Sequence, residues 1–397
     1  MNQEGKIRVL HITPEPPENY CGVRLVMRRH LVERNPFELM VATNGHYFAE
    51  PLPHEELRLP YPLHRLRRSR FGPRMAKWVM DYENMIWPFT SHRHLDALVD
   101  RFRPDVILAL AHNCLSEVSR RLARRHGLPL AGLFLDWFPI MNGHFGHRWT
   151  CNALSKRYRR FYQECDLAFC TSDGMQEVLG PHPNSHIIYP MPGQHRVPEK
   201  SWPPSNGKFR LVYVGSVERF YGRMLCSLIE KMEPLPDMEI IIVGPNADWP
   251  ADIKQRAKAM GIYLGFKPPE EAAAVLAGAD ALLVVMSFEK EYELFMRTSF
   301  TTKFLDYVAF GKPVILWGPE YCTPFRVARK HGGAMAVNQM EADAVVSACR
   351  QLAGDAKLRE QLSQEATRLH QNLFNPDRLQ NVFVSEIQKL ASFPKTR

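Results

Sequence analysis

Short runs of consecutive apolar residues alternate along this chain with stretches in which apolar residues recur every three or four positions. The first pattern is that of a strand covered on both faces, the second that of an amphipathic helix. Residues 8–12 (RVLHI), 37–43, 105–111 (DVILALA), 130–135, 167–171 and 186–189 predict strands. Helices are predicted from residue 23, over 74–85, 92–102 and 115–126, and from 148 to about 165. Residues 190–208 (PMPGQHRVPEKSWPPSNGK) then hold five prolines and two glycines, which no helix or strand interior tolerates. Beyond them the alternation restarts. Strands are predicted over 209–215, 238–244, 262–266, 281–287, 314–317 and 334–337, helices over 224–232, 253–260, 270–277 and 299–310, and two or three more helices over 341–392. Parallel strands need crossover helices, so each half predicts a doubly wound parallel sheet. The expected class is α/β, with two Rossmann-like domains facing each other across a cleft. The expected boundaries are an N-terminal domain over 1–190, a linker over 191–207, a second domain over 208–374, and a C-terminal helix over 375–397 returning to the first.

Within that frame residues 298–317 (TSFTTKFLDYVAFGKPVILW) concentrate the chemistry. Small hydroxyl residues suit a helix N-terminus, Phe304, Tyr307, Val308 and Phe310 recur at helical spacing, Gly311 suits a C-cap, Pro313 prevents continuation, and Val314 to Leu316 form a buried-strand run. A helix N-terminus carries about half a positive charge and several unpaired N–H groups. Thr298, Ser299, Thr301 and Thr302 are therefore expected to hold an anion, with Lys303 just inside and Asp306 a turn beyond. An ordinary amphipathic helix with a solvated Asp306 is the competing reading.

Charge adds a partner class. Residues 1–200 carry 27 Lys and Arg against 20 Asp and Glu, the remainder 24 against 22, for a net charge of +9 overall. The excess is densest at 65–77 (RLRRSRFGPRMAK), 120–125 and 156–160. Such a surface attracts acidic lipid headgroups, anionic glycans or nucleic acid, among which charge alone does not choose, or is simply a solvated face. No recognised nucleic-acid module is present, and nucleic acid is not an expected partner. The eight cysteines are scattered through apolar segments with no C-x-x-C pair, which fits reduced core residues better than a disulfide or zinc framework. Residues 1–12 lack the apolar core of a signal peptide, and no run of 18 apolar residues occurs, so a cytoplasmic protein, peripheral at the inner membrane face, is expected.

No two glycines stand two apart, and there is no G-x-x-x-x-G-K, no Asp-x-Asp, no H-E-x-x-H and no G-x-S-x-G. Dinucleotide oxidoreduction and P-loop hydrolysis lose their support. What remains resembles the GT-B glycosyltransferases, in particular the sugar-nucleotide-dependent glycosyl transferases group 1. The most specific match is residues 303–314 (KFLDYVAFGKPV), similar to the family's K-[LF]-x-E-Y-x-A-x-G-x-P-V segment; residues 103–107 (RPDVI) and 212–222 (VYVGSVERFYG) resemble other parts of it.

The resemblance implies a transferase that moves a sugar from a UDP- or GDP-sugar co-substrate to a glycan, lipid-linked or small-molecule acceptor. It also implies retention of configuration. No permanently bound cofactor is expected, and no metal, because N–H groups at Thr298 to Thr302 with Lys303 and Arg219 or Arg223 would stabilise the departing phosphate. In the family the acid at Asp306 receives ribose hydroxyls, the helix before it cradles the diphosphate, and the segment of 261–267, here with Phe266 and Lys267, clasps the base. Gly215 opens the donor domain, and Gly22 stands at the end of the first loop. The chain departs from the family at the first acid of an E-x7-E pair, here Thr298, and at a basic pair, here Ser216 and Tyr221. Arg219 and Arg223 lie near enough in sequence to replace that charge. On the acceptor side Asp136 and His144 are the candidate bases, with His112 behind them, each weighed against a satisfied structural side chain. Glu289, Glu291 and Glu293 are either sugar-binding or a solvated loop. Two alternatives stay open: a sugar-nucleotide epimerase of the same fold, and a degenerate protein that binds nucleotide or glycan without catalysis.

Overall fold

A computed structural model describes residues 5–19, 22–44, 51–57, 63, 71–140, 146–193, 198, 202–203, 205 and 207–392. They form two compact units, each built on its own sheet. The first comprises Met1–Met191, Thr298–Phe300 and Asp377–Arg397; the second comprises Pro192–Arg297 and Thr301–Pro376.

The sheet of the first unit holds β1 (Arg8–Thr13), β2 (Glu38–Thr43), β3 (His54–Glu56), β4 (Val106–Leu110), β5 (Leu130–Phe134), β6 (Leu167–Cys170) and β7 (Ser185–Ile187). Their order is β3-β2-β1-β4-β5-β6-β7, every pair parallel. Helices α1 (Val23–Arg28), α2 (Gly72–Met85), α3 (Arg93–Phe102), α4 (Asn113–His126), α5 (Thr150–Glu164) and α6 (Asp173–Leu179) connect them. Helix α4 ends as its sequence requires: Gly127 takes the left-handed φ of 60° that a residue with a Cβ adopts at a cost. Ser172 caps α6, its hydroxyl accepting from the Met175 amide.

The second unit's sheet holds β8 (Phe209–Val214), β9 (Met238–Val243), β10 (Ala281–Val285), β11 (Val314–Trp317) and β12 (Met335–Val337) in the order β12-β11-β10-β8-β9, again all parallel. Around it lie α7 (Arg219–Met232), α8 (Ala251–Ala259), α9 (Pro269–Ala277), α10 (Glu293–Thr298), α11 (Thr302–Val308), α12 (Thr323–His331), α13 (Ala342–Gly354) and α14 (Ala356–Gln371). The last helix, α15 (Pro376–Ser392), packs Leu379, Phe383, Ile387 and Leu390 into the first unit's core beside Val26 and Leu31 of the opening helical segment.

Four local expectations change. Residues 262–266 form no strand; Tyr263 makes one parallel bridge to Ile242, because Gly261 and Gly265 both take positive φ and turn the chain away. The helix expected from Ser299 begins at Thr302. The helix expected from Met224 begins at Arg219, and β3 lies in a stretch that the apolar pattern leaves irregular.

Candidate functional site

In a doubly wound sheet the chain reverses direction across one strand, and ligands bind beyond the carboxyl ends of the strands flanking that reversal. In the second sheet those strands are β8 and β10. Beyond β8 the chain turns at Gly215, whose φ of 148° is open to glycine, and a Cβ built there would stand 2.0 Å from Cε of Lys303. Lys303 therefore lies directly over Gly215. Its ammonium sits 4.4 Å from the ring centre of Tyr221 and 5.5 Å from that of Tyr213, within cation–π range of both.

Helix periodicity explains how Lys303 is held there. Tyr307 follows it by one turn of α11, and its hydroxyl both accepts from the Val214 amide (2.8 Å) and donates to the Val214 carbonyl (2.9 Å). The end of β8 and the start of α11 are thereby fixed to each other. Burial pushes the Tyr307 phenol up and keeps it protonated. The turn between β8 and α7 is held from the other side, where Trp249 donates to the Val217 carbonyl (2.8 Å) and Asp248 accepts from the Arg219 amide (2.9 Å). Arg219 itself has a left-handed φ of 56°, uncommon for a residue with a Cβ, and its side chain is exposed. Its neighbour Arg223 pairs with Glu289 beyond β10, and that hydrogen bond holds the guanidinium above its ordinary range. Glu293 pairs with Arg297 one turn on. Lys267 reaches Glu271 (2.9 Å), and Phe266 beside it is 70% exposed.

The hydroxyl-rich segment divides. Thr301, Thr302 and Lys303 are half-buried in the second unit, and there Asp306 accepts from the Gly193 amide at 3.0 Å. Thr298 and Ser299 are buried within the first unit, where the Thr298 carbonyl accepts from the Ser172 hydroxyl at 2.6 Å. Burial pushes the Asp136 carboxyl above its ordinary range, and the Ser299 hydroxyl draws it partly back.

The first sheet reverses between β1 and β4. Beyond β1, Arg24 bridges Glu15 (2.6 Å) and Glu18 (2.5 Å). Beyond β4, His112 is buried with its ring stacked on Phe138 at 5.5 Å, and Nε2 has no hydrogen-bond partner among the described residues. Burial depresses its imidazole to about 4, with the Glu15 charge opposing. Gly22 opens α1 at a φ of 58°, with open space where a Cβ would point. His144 lies outside the described residues. Among the described residues no group of three His, Cys, Asp or Glu is placed to hold a metal ion.

The structure thus brings together Gly215 and Lys303, and separately Asp136 and Ser299. Tyr213 and Gly193 had no part in the sequence expectation, which took Tyr307 only as an apolar helix position and Tyr221 only as a departure from the family's basic pair. Only the Lys303 to Tyr307 spacing could have signalled any of them.

Residues 208–355 match the family model described as glycosyl transferases group 1. No curated protein matches the chain in sequence. The fold is that of sucrose-phosphate synthase from Thermosynechococcus elongatus (TM-score 0.67, 12% identity, 97% of this chain and 99% of that one) and of HepE from Anabaena in complex with UDP-glucose (0.65, 12%, 96% and 100%). A putative UDP-N-acetylglucosamine 2-epimerase from Listeria monocytogenes also shares it (0.55, 11%, 97% and 96%).

Proposed function

We propose that this chain, which carries a glycosyl transferases group 1 domain over residues 208–355 on a GT-B fold, moves a sugar from a UDP- or GDP-sugar to a hydroxyl of a glycan, lipid-linked or small-molecule acceptor. The observation that carries the reading is the Lys303 ammonium, fixed over Gly215 at the reversal point of the second sheet. Breaking the bond between a sugar and a diphosphate develops negative charge on the departing phosphate, and a cation held in place beforehand stabilises that charge without reorganising. Lys303 fills that role together with the amides leading into α11, and Arg219 lies at the start of α7 as a second cation. Asp306 takes the ribose hydroxyls, and Phe266 and Lys267 flank the base.

Retention follows when the leaving phosphate itself accepts the proton of the incoming hydroxyl; inversion would instead need Asp136 or His144 as base. The raised Asp136 carboxyl suits a group that exchanges a proton nearer neutrality. A metal is not needed in this scheme, because the cations supply the charge. The basic first unit suits an acceptor in polysaccharide biosynthesis at a cytoplasmic membrane face.

Thermal shift against UDP-, GDP-, ADP-, CMP- and dTDP-sugars is the first test, since a ligand that binds only the native state raises its melting temperature. One base is expected to raise it, Asp306→Ala to remove the rise, and Lys303→Ala to lower turnover more than affinity. If no donor raises the melting temperature, the reading fails. The epimerase reading has support in the fold shared with the Listeria protein, at a lower TM-score than the two transferase-like neighbours. Isomer analysis of the sugar nucleotide after incubation without acceptor separates the two. Donor binding with neither transfer nor isomerisation would favour the non-catalytic alternative.

A further inference from the structure

Helix α2 is exposed along its first half, at Arg74 and Ala76 to Trp78, and buried along its second, at Val79, Asp81, Glu83 and Asn84. Its acids and amide, Asp81, Glu83 and Asn84, are buried, while Trp78 is 56% exposed and Ile86, just past its end, is 55% exposed. The buried half carries acids because partners meet them there: Asp81 pairs with the His147 imidazole and accepts from the His147 amide at 3.1 Å, and Glu83 accepts from Asn44 at 2.8 Å. Exposed aromatic residues continue from the first half into neighbouring elements. Trp78 rests on the His147 ring at 4.5 Å, Trp149 two residues further along is 64% exposed, and Phe89 is 46% exposed beneath Arg157 (4.8 Å) and Arg121 (5.2 Å). The exposed charges beside them are cations, Arg74 and Lys77 on α2 and Arg148 beside Trp149, because both acids of α2 lie in its buried half. The sequence entering α2 is RLRRSR, residues 65–70.

We infer that this face docks on an anionic lipid bilayer, α2 lying in the headgroup layer with Trp78, Ile86 and Trp149 dipping below it. Tryptophan suits that boundary, having an apolar ring and a polar N–H, and interleaved Arg and Lys meet lipid phosphates. A helix of this length lies on a membrane, and no helix among the described residues is long and apolar enough to cross one. A nucleic-acid surface would call for cations without a layer of aliphatic Ile86. The inference deepens the functional reading above, and rests on it for the idea of a membrane-borne acceptor, but it is measured without nucleotide, so either can fail while the other stands.

The test is flotation of the full chain with vesicles of phosphatidylcholine, with and without phosphatidylglycerol, at low and high salt. Binding to anionic vesicles is expected to exceed binding to neutral ones by at least about tenfold and to fall with salt. The double variants Trp78→Ser/Ile86→Ser and Arg74→Glu/Lys77→Glu are each expected to lose about tenfold at an unchanged melting temperature, with Trp78→Phe largely restoring the first. Equal binding to both vesicle types, binding to neither, or variants that bind like the parent would each overturn the proposal. So would concentration-dependent self-association without lipid binding, which would assign the face to a second copy of the chain.

Discussion

The two units bury different kinds of residue. Among the described residues only Arg210, Ser287 and Thr323 are buried polar or charged side chains of the second unit, whereas the first buries His11, His30, Asp81, Glu83, Asn84, His112, Glu117 and a dozen or so others. The second unit's core is almost purely apolar, and its candidate chemistry stands at the rim, where Lys303 crosses Gly215. The first unit is held partly by hydrogen bonds that have to be satisfied inside, such as His30 Nδ1 with Gln380 Oε1 at 2.8 Å and the Asp81 to His147 pair. Apolar packing is indifferent to pH. A buried polar network is not, because a change of protonation can orphan a group at its full desolvation cost.

Acid should break the comparison open most widely. Burial holds His11, His30 and His112 at about 4, below the usual imidazole value of 6.5. Between those values the unfolded chain takes up protons that the fold refuses, so the stabilisation is present above pH 6.5 and is lost as pH falls toward 4. The loss is about 1.4 kcal/mol per pH unit for each imidazole. Hydrogen exchange at pH 7 and pH 5 should show protection falling in the first unit and holding over residues 209–376; equal loss in both units would contradict the contrast.

In the second unit the largest single effect should come from packing. Phe304 is fully buried against Phe374, and Phe304→Ala is expected to cost about 3–5 kcal/mol in denaturant unfolding, with little dependence on pH. Asp81→Ala tests the matching point in the first unit. Leaving His147 and Thr150 without that carboxylate should cost about 1–3 kcal/mol. Gly215→Ala should cost a similar ~1–3 kcal/mol, because its Cβ meets Lys303 and its φ is unfavourable. It should also shrink the thermal shift given by the donor, which Asp81→Ala should not. At the small end, Trp78→Ser is expected to change stability by no more than about 0.5 kcal/mol, the side chain being over half exposed.

Much of the frame was legible beforehand. The alternation of apolar runs with helical spacing marked nearly every core strand, because a parallel strand covered on both faces has few ways to be written. β3 was not legible, since HEE is a short polar edge strand whose pairing to β2 comes from position and not from pattern. The stretch at 262–266 misled for the opposite reason: its residues suit a strand, but the glycines on either side of Ile262 to Leu264 turn the backbone away after one bridge.

Candidate chemistry was legible in part. Lys303 and Asp306 stood out from their helix, and Gly215 from the turn after its strand. That Lys303 lies over Gly215 and against Tyr221 joins positions more than eighty residues apart in sequence, which no local pattern encodes. Arg223 looked like an available cation, and its pairing with Glu289 was equally out of reach.

By itself the sequence determined most of the strands and helices, that there are two parallel-sheet units, and which residue types gather near residue 303, because these follow from spacing and backbone preference within a few turns of chain. Only the tertiary structure decided that Lys303 crosses Gly215, that Thr298 to Phe300 belong to the first unit, and that α2 buries the half that carries its acids and exposes the half that carries its tryptophan. Spacing fixes which residues of a helix share a face. Which of them are buried depends on the partners that distant parts of the chain bring to it.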